Sequence, residues 1–357
     1  MRKYYIDNIR TLGILLLFPF HTSRIFNSFE TFYVVGNPSV ICDNFIRISS
    51  EWFMPLLFAI AGISASLAME KYSIKQFIKE RFFKLFIPFM FGVILTVPIQ
   101  TFFAEKQHNG YTGNYFQQYI LFFTKKTDLT GYSGGFTPAH LWFLLFLFVI
   151  SLVSLPLIVL YKKSDKKINE NKFNLWTILP LFLFNFFLSV FEIGGQSFGK
   201  YLSFFLLGYL ILSTNGAIKL LENKRLILTT LAITFSVIRM IMIYTINFEN
   251  VSFEINFLSS AFNHLTTWVI ILAVFGLGKC YLDFSNSILD YFSKASFPIY
   301  IFHQTWLVAI GYYVISVVNN GLIQFSIIMI LTFIASVLTY EIIRPVPIAR
   351  FMFGLKK

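Results

Sequence analysis

The feature that most constrains this chain is a series of long apolar stretches separated by short polar segments. Hydrophobic residues make up 56% of the 357 positions, and charged residues only 13%. A water-soluble globular domain does not need this balance, whereas about 20 consecutive apolar residues can cross a bilayer as a helix. We therefore predict an all-α, polytopic membrane protein with about ten transmembrane helices around a polar cavity. Their expected limits are 9–27, 45–68, 83–104, 139–160, 174–191, 199–213, 225–246, 257–277, 295–316 and 323–343.

The distribution of basic residues predicts the orientation. If the N-terminus is inside, most of the 29 Lys and Arg residues fall on the cytoplasmic side, which places both termini in the cytoplasm. The first stretch follows Arg2 and Lys3, but no small-residue cleavage site comes after it, so we interpret it as a retained helix rather than a signal peptide. We expect a single transmembrane domain over residues 1–357.

Composition also argues against several classes of protein. The net charge of +12 is spread over many short loops, so we attribute it to topology and expect no nucleic acid partner. Two cysteines, Cys42 and Cys280, are too few for a disulfide framework or a metal site, and we expect no metal.

Ionisable residues occur inside the first apolar stretch at helical spacing. Arg10 and His21 are eleven positions apart, which on an α-helix leaves them within about 20° of each other and roughly 16 Å apart along the axis. Asp7 joins the same face three residues before Arg10. Because ionisable groups inside a span are costly, they usually mark function. We predict that Arg10 lies near the inner side and His21 deeper, facing one enclosed space.

Three further histidines lie in or at the edge of predicted spans, namely His140, His264 and His303. Together with His21 they could face one cavity in the outer half of the membrane, where imidazoles would transfer protons near neutral pH. The alternative is that each histidine only forms hydrogen bonds between helices.

Two charged residues in the outer parts of spans each have more than one interpretation. Glu51 either orients a histidine and stabilises its protonated form, or pairs with Arg47 one turn earlier. Arg239 needs a partner, for which Glu51, Glu192 and an anionic ligand are the options.

On the inner side, Arg81 and Lys84 are three residues apart and are predicted to share a helix face. With Arg10 they would form a basic pocket suited to the phosphates of coenzyme A.

On the outer side, the longest loop runs from about 105 to 139 and is rich in Gly, Tyr, Asn and Thr. Such a loop is consistent either with function or with a solvated connector.

Five segments together form a recognisable pattern: "YIDNIRTLGILLLFPFH", "MPLLFAIAGIS", "KERFFKLFIPF", "HLWFLLFL" and "ASFPIYIFHQ". They resemble the acyltransferase-3 family of bacterial membrane proteins, and the likeness covers essentially the whole chain in the expected order. Two positions depart from the family pattern: Ala61 precedes Gly62 where Ser is usual, and Lys84 stands where Arg is commoner, which weakens the case for a bidentate contact there. The tail "YEIIRPVPIARFMFG" resembles the branch that succinylates periplasmic glucans.

The resemblance implies transfer of an acetyl or succinyl group from cytoplasmic acyl-CoA to a hydroxyl of an extracytoplasmic glycan. In the family, the residues matching Arg10 and His21 are the functional pair. The residues matching Arg81 and Lys84 are associated with acyl-CoA. We expect His21 to act as general base, with His303 and Arg239 as candidates to stabilise the developing oxyanion.

The site residues predicted at this stage fall into three groups. The catalytic group is His21, Arg10, Asp7, Glu51 and His303; the group that binds acyl-CoA is Arg10, Arg81 and Lys84; the group that binds the acceptor or other substrate parts is His140, Trp142, Arg239 and His264.

Two other classes of function stay open. A transporter of a small polar or anionic solute would also contain buried charges, although we find no paired halves with matching broken helices. A signalling or scaffold protein would tolerate the loss of Arg10 and His21.

We expect the bacterial inner membrane and an outer glycan as partners. A homo-oligomer and a covalent acyl-histidine step both stay open.

Overall fold

The computed structural model describes residues 3–125, 135–164, 170 and 173–355. Every regular element in these ranges is a helix, and the only extended pairing described is an isolated bridge between Ile193 and Gln196. The all-α prediction is confirmed.

The described residues form seventeen α-helices, joined in places by short π-helical or 3₁₀ turns. The helices are α1 Tyr4–Ile25, α2 Val40–Met69, α3 Ile74–Arg81, α4 Ile87–Leu95, α5 Val97–Asn109, α6 Tyr115–Thr124, α7 Trp142–Val153, α8 Leu155–Lys163, α9 Leu175–Ile178, α10 Phe182–Leu188, α11 Phe198–Leu207, α12 Asn215–Asn223, α13 Arg225–Thr245, α14 Phe253–Tyr281, α15 Ser287–Val317, α16 Gly321–Ile343 and α17 Pro347–Met352. The π-helical turns are Phe82–Phe86 and Gly208–Leu212, and the 3₁₀ turns are Ala139–Leu141 and Leu179–Leu181.

Six helical segments among the described residues are long and apolar enough to cross a membrane, as expected of a multi-pass membrane protein. They are Val40–Met69, Ile74–Asn109, Ala139–Lys163, Arg225–Thr245, Phe253–Tyr281 and Gly321–Ile343. A seventh segment is added if α11 and α12, which are bent by 93° at their junction, count as one broken span. Helices α1 and α15 carry more polar and ionisable residues and are not among the six.

The prediction that residues from about 105 to 139 form one continuous loop is wrong. Helix α5 continues to Asn109, and α6 forms a separate helix. A capping box starts α6: Asn114 Oδ1 accepts from the Gln117 backbone N–H (3.0 Å), and Gln117 Oε1 accepts from the Asn114 N–H (3.2 Å). This reciprocal pair satisfies backbone donors that would otherwise be unpaired at a helix start. Residues 126–134 of the predicted loop lie outside the described residues.

The first of two compact units comprises Met1–Arg10, Arg47–Phe77 and Val149–Asn286. Its core contains Trp268 on α14, which is fully buried and donates its Nε1–H to the carbonyl of Ile178 (2.9 Å). The hydrogen bond allows a large ring with one polar atom to be buried without an unsatisfied donor.

Small residues bring two helical segments of the first unit into backbone contact. A Cβ atom on Gly62 of α2 would lie 2.0 Å from the carbonyl oxygen of Phe205, and one on Gly208 would lie 2.2 Å from that of Ala59. Neither distance leaves room for a side chain. The close approach gives a packing reason for the glycine in the segment "FAIAGIS".

The second unit comprises Thr11–Ile46, Ile78–Phe148 and Ser287–Lys357. Helix α15 packs against both α16 and α5 in this unit. The Phe103 ring on α5 lies 5.3 Å from that of Tyr312 on α15, so aromatic contacts help to hold α15 in place. Whether the two units act as one domain over residues 1–357 stays a prediction.

Candidate functional site

Three of the four predicted membrane histidines meet inside the second unit. His303 on α15 is central, since its ring centroid lies 5.1 Å from that of His21 on α1 and 5.0 Å from that of His140. His303 is fully buried and His140 is 7% exposed. We call His21, His140 and His303 the histidine cluster. Segments that are far apart in the sequence contribute these three rings. The clearest sequence signal for a shared site was that each histidine lies in, or at the edge of, a predicted span.

Backbone carbonyls determine the neutral tautomers of two rings in the histidine cluster. His140 Nε2–H donates to the Ile301 carbonyl (3.0 Å), and His303 Nδ1–H donates to the Tyr300 carbonyl (2.7 Å). Because a carbonyl oxygen only accepts, the opposite nitrogens, His140 Nδ1 and His303 Nε2, are unprotonated in the neutral rings. These two nitrogens and His21 Nδ1 are buried without a hydrogen-bond partner among the described residues. Since a buried acceptor without a donor costs free energy, the cluster suits a ligand that carries an O–H group.

Aromatic rings pack against the histidine cluster, in which the His21 side chain stays partly exposed. The Phe32 ring stacks on His21 with centroids 6.1 Å apart and planes 23° apart, and the Phe18 ring meets His303 edge-on at 6.0 Å. Apolar walls limit the access of water, which strengthens electrostatic interactions inside a site. Phe32 was not predicted, because nothing in the sequence relates a loop phenylalanine to His21.

A network of amides and hydroxyls lies next to His303 along α15 and was also missed. Gln304 Nε2 donates to Gln100 Oε1 (3.0 Å), and Gln100 Nε2 donates to Thr305 Oγ1 (2.9 Å). Thr305 donates in turn to the carbonyl of Thr96 (3.1 Å). The sequence signal that could have predicted this network is the presence of polar residues in otherwise apolar runs. Buried side-chain hydrogen bonds of this kind make a helix contact specific, and here they hold the segment that carries His303. Gln304 Oε1 is buried without a hydrogen-bond partner among the described residues.

Arg10 and Asp7 lie on one helix face, as their spacing predicted, and form an ion pair there. Arg10 Nη2 lies 2.9 Å from Asp7 Oδ1, and both side chains are partly exposed within the first unit. Between them, Asn8 Nδ2 donates to the carbonyls of Leu282 (2.7 Å) and Phe284 (2.8 Å) just after α14. The motif "DNIR" therefore combines an ion pair with an anchor for the start of α1, and α1 continues without a break to Ile25.

Lys3, which precedes α1, is a further basic group at this end of the helix. Its Nζ donates to the carbonyl of Ser213 (3.0 Å), and burial lowers the pKa of its amine. The Lys3 amine is therefore already hydrogen-bonded within the protein.

Arg81 and Lys84 occupy different helical environments in the second unit. Arg81 is the last residue of α3, whereas Lys84 lies in the π-helical turn that follows and pairs with Glu80. The predicted shared face assumed α-helical spacing, and a turn with i→i+5 hydrogen bonds has a different angular step. Arg10 belongs to the first unit, so a common phosphate pocket of these three residues stays a prediction.

Glu51 connects a buried cation, Arg239, with a partly exposed one, Lys200, in the first unit. Its Oε1 lies 3.1 Å from Arg239 Nη2, and its Oε2 lies 3.1 Å from Lys200 Nζ. Arg239 also donates from Nη1 to the carbonyl of Arg47 (2.7 Å). We call Glu51, Arg239 and Lys200 the charged cluster. Glu51 is thus the partner of Arg239, one of the options derived from the sequence. Lys200 was missed because its position suggested only a charge at the membrane surface.

His264 belongs to the first unit and has a hydrogen-bond partner there. Its Nδ1–H donates to Asn185 Oδ1, while Asn185 Nδ2 donates to Ser203 Oγ (2.6 Å). This arrangement matches the alternative in which a membrane histidine joins helices. In the second unit, Trp142 begins α7 and its ring lies 5.2 Å from that of Phe146.

Comparisons with known proteins agree with this picture of a membrane enzyme. A family model described as an acyltransferase domain, of the acyltransferase-3 type, matches residues 3–341. Relatives named Glucans biosynthesis protein C occur in Salmonella heidelberg and Salmonella typhimurium (both 24% identical) and in Salmonella paratyphi A (23% identical). Each alignment covers 99% of this chain and 95% of the relative. No solved structure matches the chain.

Proposed function

Because this chain belongs to the acyltransferase-3 family, we propose that it transfers an acetyl or succinyl group from acyl-CoA to a hydroxyl of an extracytoplasmic glycan. The observation that carries this proposal is the histidine cluster, in which buried nitrogens lack a hydrogen-bond donor among the described residues. A hydroxyl group supplies such a donor. The names of the relatives, which refer to glucans, support a glycan as the acceptor.

His21 acts as the general base in the proposed reaction. The acceptor oxygen forms an ester bond with the acyl carbon, and the thioester C–S bond breaks. The hydroxyl proton passes to His21 and then to the CoA thiolate, which leaves as the thiol. General-base assistance of this kind typically contributes about 10²–10⁴-fold to the rate.

His303 serves as a second proton acceptor beside His21. Its Nδ1–H is held by the Tyr300 carbonyl, so its Nε2 accepts a proton in the neutral ring. The sequence suggested His303 as a donor to the developing oxyanion, but a neutral ring with this tautomer cannot donate from Nε2. A proton-accepting role fits the central position of His303 in the histidine cluster.

Arg10, Arg81 and Lys84 bind the phosphates of acyl-CoA in the proposed arrangement. Guanidinium groups suit this task because they bind phosphate oxygens in a bidentate way. Asp7 orients Arg10 through its ion pair, whereas Glu80 offsets the charge of Lys84. We therefore assign the larger share of phosphate binding to the two arginines.

The proposed topology has ten spans, with both termini in the cytoplasm of a bacterial cell and the spans in its inner membrane. The excess of basic residues in the short loops of one side supports this orientation. In this topology the phosphate-binding residues lie near the inner side. The charged cluster and the loop between α1 and α2 then lie near the outer side.

The charged cluster is proposed to bind an anionic part of the substrate, such as the free carboxylate of a succinyl group. Two cations share one carboxylate, since Arg239 and Lys200 both contact Glu51, and the excess positive charge attracts an anion. His140, Trp142 and His264 stay assigned to the acceptor. Orientation of a histidine by Glu51 stays a second option for that side chain.

The test uses membranes that contain the protein, incubated with radiolabelled acetyl-CoA or succinyl-CoA and glycan extracted from the cell envelope. We expect label on the glycan with wild-type membranes and little label with His21→Ala membranes. Flux of an intact solute that needs no CoA would contradict the proposal and favour a transporter. Label that stays on the protein when glycan is omitted would indicate an acyl-histidine step.

A further inference from the structure

A polar cavity lies in the second unit between segment 26–39, which joins α1 to α2, and the C-terminal end of α5. Its volume is about 630 Å³, within the range that is typical of small-ligand sites. We call it the loop cleft. The lining residues used below are Asn27, Phe29, Glu30, Thr31, Gln107 and His108.

Phe32 connects the loop cleft with His21. Its ring stacks on the His21 imidazole, and its backbone carbonyl accepts from the Nε2–H of His108 (2.8 Å), which lines the cleft. Thr31, the residue before it, lines the cleft as well. Phe32 itself is only 5% exposed. The residue whose ring packs on the proposed base is therefore joined through its backbone to residues that line the cleft.

The chemistry of the lining favours a neutral, hydroxyl-rich ligand. No Lys or Arg occurs among the described residues that line the cleft, and the carboxylate of Glu30, paired with Arg24, is half exposed at its edge. This charge distribution disfavours the phosphates of acyl-CoA. Phe29 is 39% exposed and offers an apolar ring face, while Gln107 offers a planar amide. Aromatic faces with amide and carboxylate groups can pack against the carbon skeleton of a sugar and bind its hydroxyls.

The loop that forms the cleft is held in shape by its own hydrogen bonds. Asn27 Oδ1 accepts from the backbone N–H groups two and three residues later (3.1 and 2.6 Å), as in an Asx turn. Gln107 Nε2 donates to the Val35 carbonyl (2.7 Å). The N–H groups of Gly36 and Ser39 donate to carbonyls at the end of α1 and just after it (both 2.8 Å). A loop ordered in advance loses less entropy when a ligand binds.

We propose that the loop cleft binds the sugar acceptor and that the Phe32 ring moves aside to admit one acceptor hydroxyl to His21. This inference rests on the proposed function, because it assigns the acceptor site of that reaction. The acceptor and the acyl-CoA phosphates then bind at separate places, and Phe32 limits the access of water to the buried Nδ1 of His21 until an acceptor is present.

The first test measures the KM of the purified full-length protein for a mixture of linear glucose oligosaccharides, with radiolabelled acetyl-CoA as donor. We expect Phe29→Ala to raise this KM about tenfold, through loss of the ring face, and to leave the KM for acetyl-CoA unaltered. Phe116→Ala is the matched control, because Phe116 is a 78% exposed ring in the same unit outside the cleft, and it should change neither constant. An unchanged oligosaccharide KM in Phe29→Ala, or a rise only in the KM for acetyl-CoA, would overturn the assignment.

The second test needs no sugar and measures hydrolysis of acetyl-CoA to acetate and free CoA. In Phe32→Ala, water reaches the histidine cluster, and we expect hydrolysis to rise about tenfold. Phe32→Leu keeps most of the apolar volume and guards against misfolding, and it should give a smaller rise. Hydrolysis at the wild-type rate in both variants would overturn the role of Phe32.

The two tests also separate this inference from the proposed function. If the wild type acylates the oligosaccharides but Phe29→Ala does so with the same KM, only the cleft assignment fails. If the wild type hydrolyses acetyl-CoA but ignores the oligosaccharides, the Phe32 variants decide the inference. If the wild type neither transfers nor hydrolyses, the proposed function fails and the cleft assignment fails with it.

Discussion

Each imidazole of the histidine cluster has different neighbours at the scale of single residues, and this difference separates their roles. Each ring has one buried nitrogen without a hydrogen-bond partner in the described part of the chain, so protonation at that nitrogen breaks no existing bond in any of the three. His140 and His303 are buried and each is held by a backbone carbonyl, whereas His21 is partly exposed. Of the three rings, His21 is therefore the one most accessible for proton exchange with a substrate.

The His21→Ala variant should lose at least about 100-fold in kcat, since it removes the general base. The measurement is the initial rate of label transfer by purified protein, with gel filtration to show that the variant is folded. Thr22→Val is the matched control on the same helix: Thr22 is buried and its hydroxyl has no partner among the described residues, so the near-isosteric change should be almost neutral. A His21→Ala rate within threefold of wild type would contradict the role of His21.

The Glu51→Gln variant should lower the free energy of unfolding by about 1–3 kcal/mol, because the buried Arg239 and the partly exposed Lys200 would lose the carboxylate that they share. The effect is smaller than for a fully buried pair, since the Glu51 side chain is 32% exposed. Thermal melting in detergent measures it. The control is Glu341→Gln, which affects a surface pair with Arg344 and should change stability by about 0–1 kcal/mol. Equal melting shifts would show that the charged cluster does not stabilise the fold.

At the scale of residues, the sequence predicts contacts between near neighbours but not contacts between side chains that are distant in the chain. Asp7 and Arg10 were predicted to share a helix face, because helical spacing makes residues three apart neighbours. Lys200 and Phe32 were not predicted as site residues, because no local pattern links them to Glu51 or His21.

At the scale of elements, apolar runs were recognised better than the breaks inside them. The predicted run 83–104 contains a π-helical turn and then two helices that meet at Thr96, with proline in the first turn of α5. A similar break at Ser154 precedes α8, which also has proline in its first turn. Proline lacks an N–H and is tolerated at a helix start, so the signal was present, but hydropathy alone does not use it. The capping box at the start of α6 is a second sequence signal of a helix boundary that hydropathy does not use.

The Gly62→Ala variant should destabilise the contact between α2 and the segment that begins with α11. Its new Cβ would meet the carbonyl oxygen of Phe205, and relief of such a clash in a packed contact costs about 1–3 kcal/mol. Gly321→Ala is the matched control, because nothing lies within 4 Å of a Cβ there. Melting temperatures of the two variants in detergent give the comparison. A Gly62→Ala protein as stable as Gly321→Ala would contradict the close packing.

At the scale of the whole molecule, the sequence predicted a helical membrane protein from apolar length, and the helices agree. The number of spans is harder to predict, because α1 and α15 combine membrane length with the polar residues of the site. Functional polar groups lower the hydropathy on which span counting depends.

The proposed topology predicts which loops are accessible from outside the cell. Thr31 and Ser73 are both exposed, and the ten-span arrangement puts Thr31 outside and Ser73 in the cytoplasm. In a protein with Cys42→Ser and Cys280→Ser, Thr31→Cys should react with a membrane-impermeant maleimide on intact cells. Ser73→Cys, as the paired control, should react only after permeabilisation. The reverse pattern would show that the orientation is inverted.

The hydrogen bonds within segment 26–39 have an evolutionary consequence. The segment takes its shape from bonds to its own atoms and to α1, α2 and α5. None of these bonds uses the side chains of Phe29 or Thr31, so these two side chains can be exchanged while the bonds stay. Substitutions at positions such as Phe29 and Thr31 would then change which carbohydrate is modified while the proton-transfer machinery is inherited intact. A single membrane scaffold of this design could diversify the surface chemistry of many bacteria through changes in one short loop.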